Sequence, residues 1–131
     1  MVLLDTNILI YFFKGQGNVG KHMLATSPQL IAVSCITLYE LETGLLKSVS
    51  SAARRAQLNA LIASVKILNV DHSVALAAAK IRAALEAQGQ PIGPLDTLIA
   101  ATALVAKASL ITRNVRELAR VPGLLVENWY D

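Results

Sequence analysis

Short runs with apolar centres alternate along this chain with longer stretches in which apolar residues recur every three or four positions. Val2 to Leu4, Leu30 to Val33, Ser109 to Thr112 and Leu124 to Glu127 read as buried strands. Thr6 to Phe13 reads as a helix with Ile8, Leu9, Phe12 and Phe13 on its apolar side, and Thr37 to Lys47 as another carrying Leu38, Leu41, Leu45 and Leu46. Ser50-Ser51 caps a helix over Ala52 to Val65, and Asp71 caps one over Ser73 to Gln88; this spacing predicts an antiparallel helix pair. The breaks at Gly15-Gln-Gly17-Asn18 and at Gly89-Gln-Pro91-Ile-Gly93-Pro94 leave a short helix near Val19 to Ala25 and an alanine-rich helix from Leu95 to Lys107. A last short helix spans Asn114 to Ala119. Neither a repeat nor a linker interrupts the series, so residues 1–131 are expected to form one domain. Strands separated by helices pair in parallel through crossovers, which predicts a three-layer α/β fold with a central parallel sheet between helices.

In such a fold ligands bind beyond the carboxyl ends of the strands. Asp5, Asn114 and the segment leading to Glu40 fall there, and Asp96 opens the helix after Gly93-Pro94. Each acid has an ordinary structural role open to it. Thr37-Leu-Tyr-Glu40 fits a capping box, Asp5 can cap its helix, Asp96 complements a helix dipole, and Asn114-Val-Arg-Glu117 is a segment of the same type. The surroundings favour more than capping. Asp5 closes an apolar strand and precedes Thr6-Asn7, and a buried carboxylate needs a compensating partner. With no Lys or Arg beside Asp5, Glu40 or Asp96 in the sequence, a divalent cation is the simplest one. Oxygen ligands without His or Cys select Mg²⁺, with Mn²⁺ as a substitute, over zinc.

Composition narrows the setting. An apolar content of 54% over 131 residues builds a full core without disulfides, and the single Cys35 reads as a small buried hydrophobe. The apolar stretches are too short to span a bilayer, and Met1 to Asp5 lacks the pattern of a signal peptide, so a cytoplasmic protein without a membrane partner is expected. Gathering Asp5, Glu40 and Asp96 in one pocket would raise the charge of the remaining surface from +3 to +6, which suits a polyanion. His22 and His72 lie in polar stretches without metal spacing, and no phosphate-binding glycine loop or Ser-His-acid pattern is present.

Four segments together carry a family resemblance: Leu4-Asp5-Thr6-Asn7-Ile8-Leu9, Ser34 to Leu41 with Thr37 and Glu40, Pro91 to Ala101 with Asp96, and Leu110-Ile-Thr112-Arg-Asn114. They resemble, in order and spacing, the signature segments of PIN-domain ribonucleases, and most closely VapC-type toxins of bacterial type II toxin–antitoxin systems. The resemblance implies a PIN-like fold and a metal-dependent endoribonuclease that hydrolyses phosphodiester bonds in structured RNA, with tRNA the favoured substrate. It assigns Asp5, Glu40 and Asp96 to catalysis and to one or two Mg²⁺ ions, with Thr6, Asn7 and Thr112 as supporting polar groups. Asn114 departs from the pattern, since many members carry an acid there, and either Asn114 itself or Glu117 would complete the metal site. A cognate antitoxin covering the site, and a homodimer, are also implied; a mean hydropathy of +0.51 agrees with some apolar helix surface being covered by another chain. The antitoxin is expected to lay a helix near Leu38 to Leu46.

Lys14, Lys47, Arg113, Arg116 and Arg120 are candidates for holding RNA phosphates, the last three near one face of the terminal helix; ion pairing with Glu117 is the alternative. Aromatic residues make up 5% of the chain, which favours recognition of a folded RNA by its backbone over base stacking. Glu42 points away from Glu40 and reads as surface. Receiver domains and haloacid-dehalogenase-type phosphatases also place acids at strand ends, but the former need paired acids and a strand-end Lys, and the latter an Asp where Asn7 stands. A housekeeping PIN-domain nuclease in RNA processing, or a catalytically silent PIN-fold RNA-binding module, are the alternatives within the family.

Overall fold

The computed structural model covers residues 1–131. Five strands, β1 (Val2–Leu4), β2 (Ile31–Ser34), β3 (Lys66–Leu68), β4 (Ser109–Ile111) and β5 (Val126–Glu127), form one sheet in the order β3-β2-β1-β4-β5. Every pairing is parallel; Leu4 at the end of β1 stands beside Val33 of β2 and Ile111 of β4. Seven α-helices make the connections: α1 (Thr6–Lys14), α2 (Val19–Ala25), α3 (Cys35–Lys47), α4 (Ala52–Ser64), α5 (His72–Ala87), α6 (Pro94–Ala106) and α7 (Val115–Leu118). The expected three-layer α/β arrangement is present.

Strand side chains alternate between the two faces and so divide the core. Leu3, Ala32 and Leu110 face a layer made by Val74, Ala78, Ile81 and Leu85 of α5 and by Ile99, Ala100 and Ala103 of α6. Leu4, Val33 and Ile111 face the other way, onto Ile8 and Leu9 of α1, Leu41 and Leu45 of α3, and Leu58 and Leu61 of α4. All six strand residues are fully buried, so truncating Leu4 or Leu110 to Ala should cost about 2–5 kcal/mol.

This division corrects the expected α4–α5 pair. The two helices lie in different layers, and between them runs β3, which the sequence reading missed. Its two-residue alternation is short and opens on exposed Lys66, yet it is there: Val65 and Ile67 pack towards α4's layer, whereas Leu68 and Val70 pack towards α5's. The connection is therefore a crossover through the sheet edge. α5 pairs with α6.

The chain runs outward from β1 to β2 and β3, then returns to place β4 on the other side of β1. The sheet order thus reverses between β1 and β4, and loops leaving adjacent strands there diverge to opposite layers. A crevice opens at that point.

Candidate active site

Asp5 is the first residue beyond β1. Its N–H donates to the carbonyl of Ile111 at 3.0 Å, extending the β1–β4 ladder, and its Oδ1 accepts from the N–H of Ile8 at 2.9 Å. The capping role is real, and it aims the carboxylate into the crevice lined by Asn7, Tyr11, Thr112, Arg113 and Asn114, a space of about 410 Å³. Burial pushes the Asp5 carboxyl up to about 6, and the nearby charges of Asp96 and Glu40 push the same way; the Thr112 hydroxyl and the Ile8 N–H oppose them.

Glu40 does not belong to a capping box. α3 starts at Cys35, and the cap is Ser34, whose hydroxyl accepts from the N–H of Ile36 at 3.1 Å. Because Ser34 ends β2 already in extended conformation, the helix begins two residues before the expected Thr37. Thr37 is instead buried within the first turns, and the Thr6 hydroxyl of α1 lies 3.1 Å from it and 2.6 Å from Glu40 Oε1. Thr6 thereby donates to the carboxylate and joins α1 to α3. The half-buried, half-exposed Cys35 is less enclosed than the sequence implied.

Asp96 occupies the first turn of α6, behind Gly93, which offers no side-chain cap. Its carboxyl is raised by burial, then by the charges of Glu40 and Glu117. Asp5 therefore feels the charges of Asp96 and Glu40, and Asp96 those of Glu40 and Glu117, although these acids are distant in sequence. The Asn114 side chain does not cap α7; its Nδ2 donates to Glu117 Oε2 at 2.7 Å, while its backbone N–H donates to Thr112 Oγ1 at 3.0 Å. Glu117 is thus oriented by an amide, and it forms no ion pair with the neighbouring arginines. The two ion pairs of the protein, Arg55–Glu42 and Arg82–Glu86, leave all four site acids without a cationic partner.

No three of the His, Cys, Asp and Glu side chains converge closely enough to form a complete metal cage. Mg²⁺ does not require one: it keeps several waters and is commonly held by one or two carboxylates together with substrate phosphate. The all-oxygen donor set, with the Asp5 and Asp96 carboxyls raised first by burial, is of the kind that suits a hard divalent ion.

The basic candidates scatter. Arg113 precedes α7 and lies over the Tyr130 ring at 3.6 Å and the Tyr11 ring at 5.4 Å, beside Asp5 and Asn7. Arg120 follows α7, its Nη1 3.4 Å from the carbonyl of Pro91. α7 is a single turn, too short to gather Arg113, Arg116 and Arg120 on one face. Lys14 shares a cavity with Glu40, and Lys47 ends α3 on the exposed surface. His22 is exposed as expected but stacks on Trp129 at 5.1 Å, a contact between distant segments that no local pattern announces; Tyr11, Tyr130 and Arg54 were missed for the same reason.

The sequence and the fold correspond to known proteins. The PIN domain family model matches residues 2–124. The tRNA(fMet)-specific endonuclease VapC of Salmonella typhimurium is 32% identical over 127 residues, covering 97% of this chain and 96% of that protein. Ribonuclease VapC2 of Rickettsia felis is 32% identical with the same coverage. Among solved structures, VapBC2 of Rickettsia felis bound to a promoter DNA fragment superposes with a TM-score of 0.90 at 31% identity, covering 98% of this chain and 99% of the other, and VapBC-1 of nontypeable Haemophilus influenzae with a TM-score of 0.87 at 32% identity, covering 100% of each chain. The chain belongs to the PIN-domain family, and within it to the VapC ribonucleases of toxin–antitoxin systems.

Proposed function

We propose that the protein is the toxin of a toxin–antitoxin pair and cleaves structured RNA, tRNA in particular, by Mg²⁺-dependent hydrolysis centred on Asp5, Glu40 and Asp96. The observation that carries the reading is the mutual influence of these carboxylates, none of them ion-paired, beside the sheet's reversal point. Relatives named as tRNA(fMet)-specific endonucleases support the substrate class.

In this reading Asp5 and Asp96 hold the ion, which when bound supplies charge to the scissile phosphate and acidifies water. Glu40, fixed by the Thr6 hydroxyl through Oε1, has its other oxygen free to accept a proton from the attacking water. Water oxygen bonds to phosphorus, the bond to the 3′ oxygen breaks, and that oxygen takes its proton from solvent. Asn114 orients Glu117, which in this reading would complete the charge of a second ion's site. Arg113, which lies over Tyr130 and Tyr11 beside Asn7, meets in this reading a phosphate entering there.

The partner is an antitoxin, in keeping with neighbours solved as VapBC complexes. The apolar groove between α1, α2 and α4, lined by Phe12, Phe13, Met23, Leu24 and Leu61, suits an amphipathic helix better than the expected Leu38 to Leu46 stretch, of which Leu41 and Leu45 are already buried. A homodimer would cover exposed apolar side chains such as Leu46 and Val49. No helix is long and apolar enough to cross a membrane.

The test is cleavage of tRNA by purified protein with and without Mg²⁺, mapped at nucleotide resolution. Cleavage lost in Asp5→Asn and Asp96→Asn proteins is expected; undiminished cleavage in those variants would refute the assignment. RNA binding without cleavage at any metal concentration would favour the silent binding module.

A further inference from the structure

We propose that the cavity behind Glu40 is an anion subsite that holds a backbone phosphate flanking the scissile one, with Arg54 and Lys14 as its cationic ligands; the proposal rests on the ribonuclease reading above. The cavity, about 530 Å³, lies between the end of α1, the middle of α3 and the start of α4. Its charged lining is Lys14, Arg54 and Glu40, and Ser48, Ser50 and Ser51 add hydroxyls. Glu40 lines this cavity, and its charge also acts on Asp5 and Asp96, so whatever occupies the cavity lies near the proposed reacting centre.

Arg54 is the observation that asks for a ligand. Its guanidinium lies over the Phe13 ring, 5.0 Å from the centroid, and its Nη1 is shielded from solvent yet makes no hydrogen bond. A buried donor left unpaired costs free energy, and a charged one costs more. The adjacent Arg55 shows the contrast, since both its Nη atoms pair with Glu42 at 2.6 and 2.7 Å. Arg54 is thus the arginine of this helix turn with no internal acceptor.

The start of α4 points to the same ligand. The first intrahelical bond runs from the Arg55 N–H to the Ser51 carbonyl, which leaves the preceding N–H groups of the first turn without partners inside the helix. The Ser51 side chain does not cap them. Free amides at a helix start, the Lys14 and Arg54 cations and the serine hydroxyls together match the several acceptor oxygens of a phosphate. A carboxylate of a protein partner offers two oxygens and would use fewer of these donors.

The experiment uses unfractionated tRNA as the probe. In an otherwise wild-type chain, Arg54→Met keeps an unbranched apolar side chain beside Phe13 and removes the donors; KM for tRNA cleavage should rise by about tenfold, as for loss of one charged contact, with kcat little changed. In an Asp5→Asn background, Arg54→Met should weaken tRNA binding and reduce the salt slope of log Kd by about 1. Arg54→Lys should restore the slope in part. Lys14→Met, a change at an exposed position, should move KM and slope in the same direction, and it decides the matter if Arg54→Met fails to fold. Unchanged KM and salt slope in both variants would overturn the subsite while leaving the ribonuclease reading intact. Weakened antitoxin binding with unchanged tRNA binding would overturn it in favour of a protein carboxylate. If the wild-type chain neither binds nor cleaves tRNA, the ribonuclease reading fails first and the subsite with it.

Discussion

Asp5→Asn separates the charge of Asp5 from its shape. Asn keeps an Oδ1 that accepts from the Ile8 N–H, so the cap of α1 survives, while the charge that Asp96 and Glu40 repel is removed. A carboxyl raised from 3.8 to about 6 corresponds to a penalty on the ionised folded form of roughly 3 kcal/mol in the metal-free protein. The amide has its own desolvation cost, so a net gain of about 1–2 kcal/mol is expected, or roughly 5 °C in Tm for a chain of this size. The sign follows from linkage. Above pH 6 Asp5 is charged in both folded and unfolded states and the wild type carries the whole penalty. As pH falls from 6 towards 3.8 the folded state takes up the proton first, the wild type gains on the variant, and the advantage of Asp5→Asn disappears. Thermal melts from pH 4 to 8 in chelator should show this convergence, and Mg²⁺ should raise the melting temperature of the wild type more than that of the variant. A variant less stable than wild type at pH 7.5 in chelator, or one fully active at saturating Mg²⁺, would refute the reasoning.

Three further outcomes are expected. Mg²⁺ or Mn²⁺ should support cleavage and excess chelator should stop it, whereas Ca²⁺ should bind without efficient turnover because its loose geometry positions water poorly; this is read from initial rates in each metal. Asn114→Asp should place a second charge beside Glu117 at 2.7 Å and lower the Mg²⁺ concentration for half-maximal cleavage, and Glu117→Gln should raise it; metal titrations in which neither variant differs from wild type would remove both from the metal site. Thr6→Val deletes the 2.6 Å bond to Glu40, and a kcat loss of about tenfold with a stability loss of about 1–2 kcal/mol is expected from activity assays and denaturant melts.

The sequence by itself determined the layer architecture and the strand ends at which the candidate acids stand. Apolar runs at β1, β2 and β4, each closed by a polar residue before a helix, require a parallel sheet whose strand ends carry Asp5, Ser34 and Thr112. The four family segments placed Glu40 and Asp96 with them. These are local signals, carried by periodicity and by residues a few positions apart. Tertiary structure decided what depends on approach between distant segments. β3 became a strand because β2 offered it a free edge, and this put α4 and α5 on opposite faces. Glu40 left its expected cap because Ser34 reached the α3 amides first and Thr6, 34 residues away, supplied the hydroxyl. Arg54 and Arg55 are neighbours of the same type, indistinguishable as sequence, yet one meets Glu42 and the other meets Phe13. Helical rotation of about 100° between successive residues turns them to different surroundings, and only the fold determines what stands on each side.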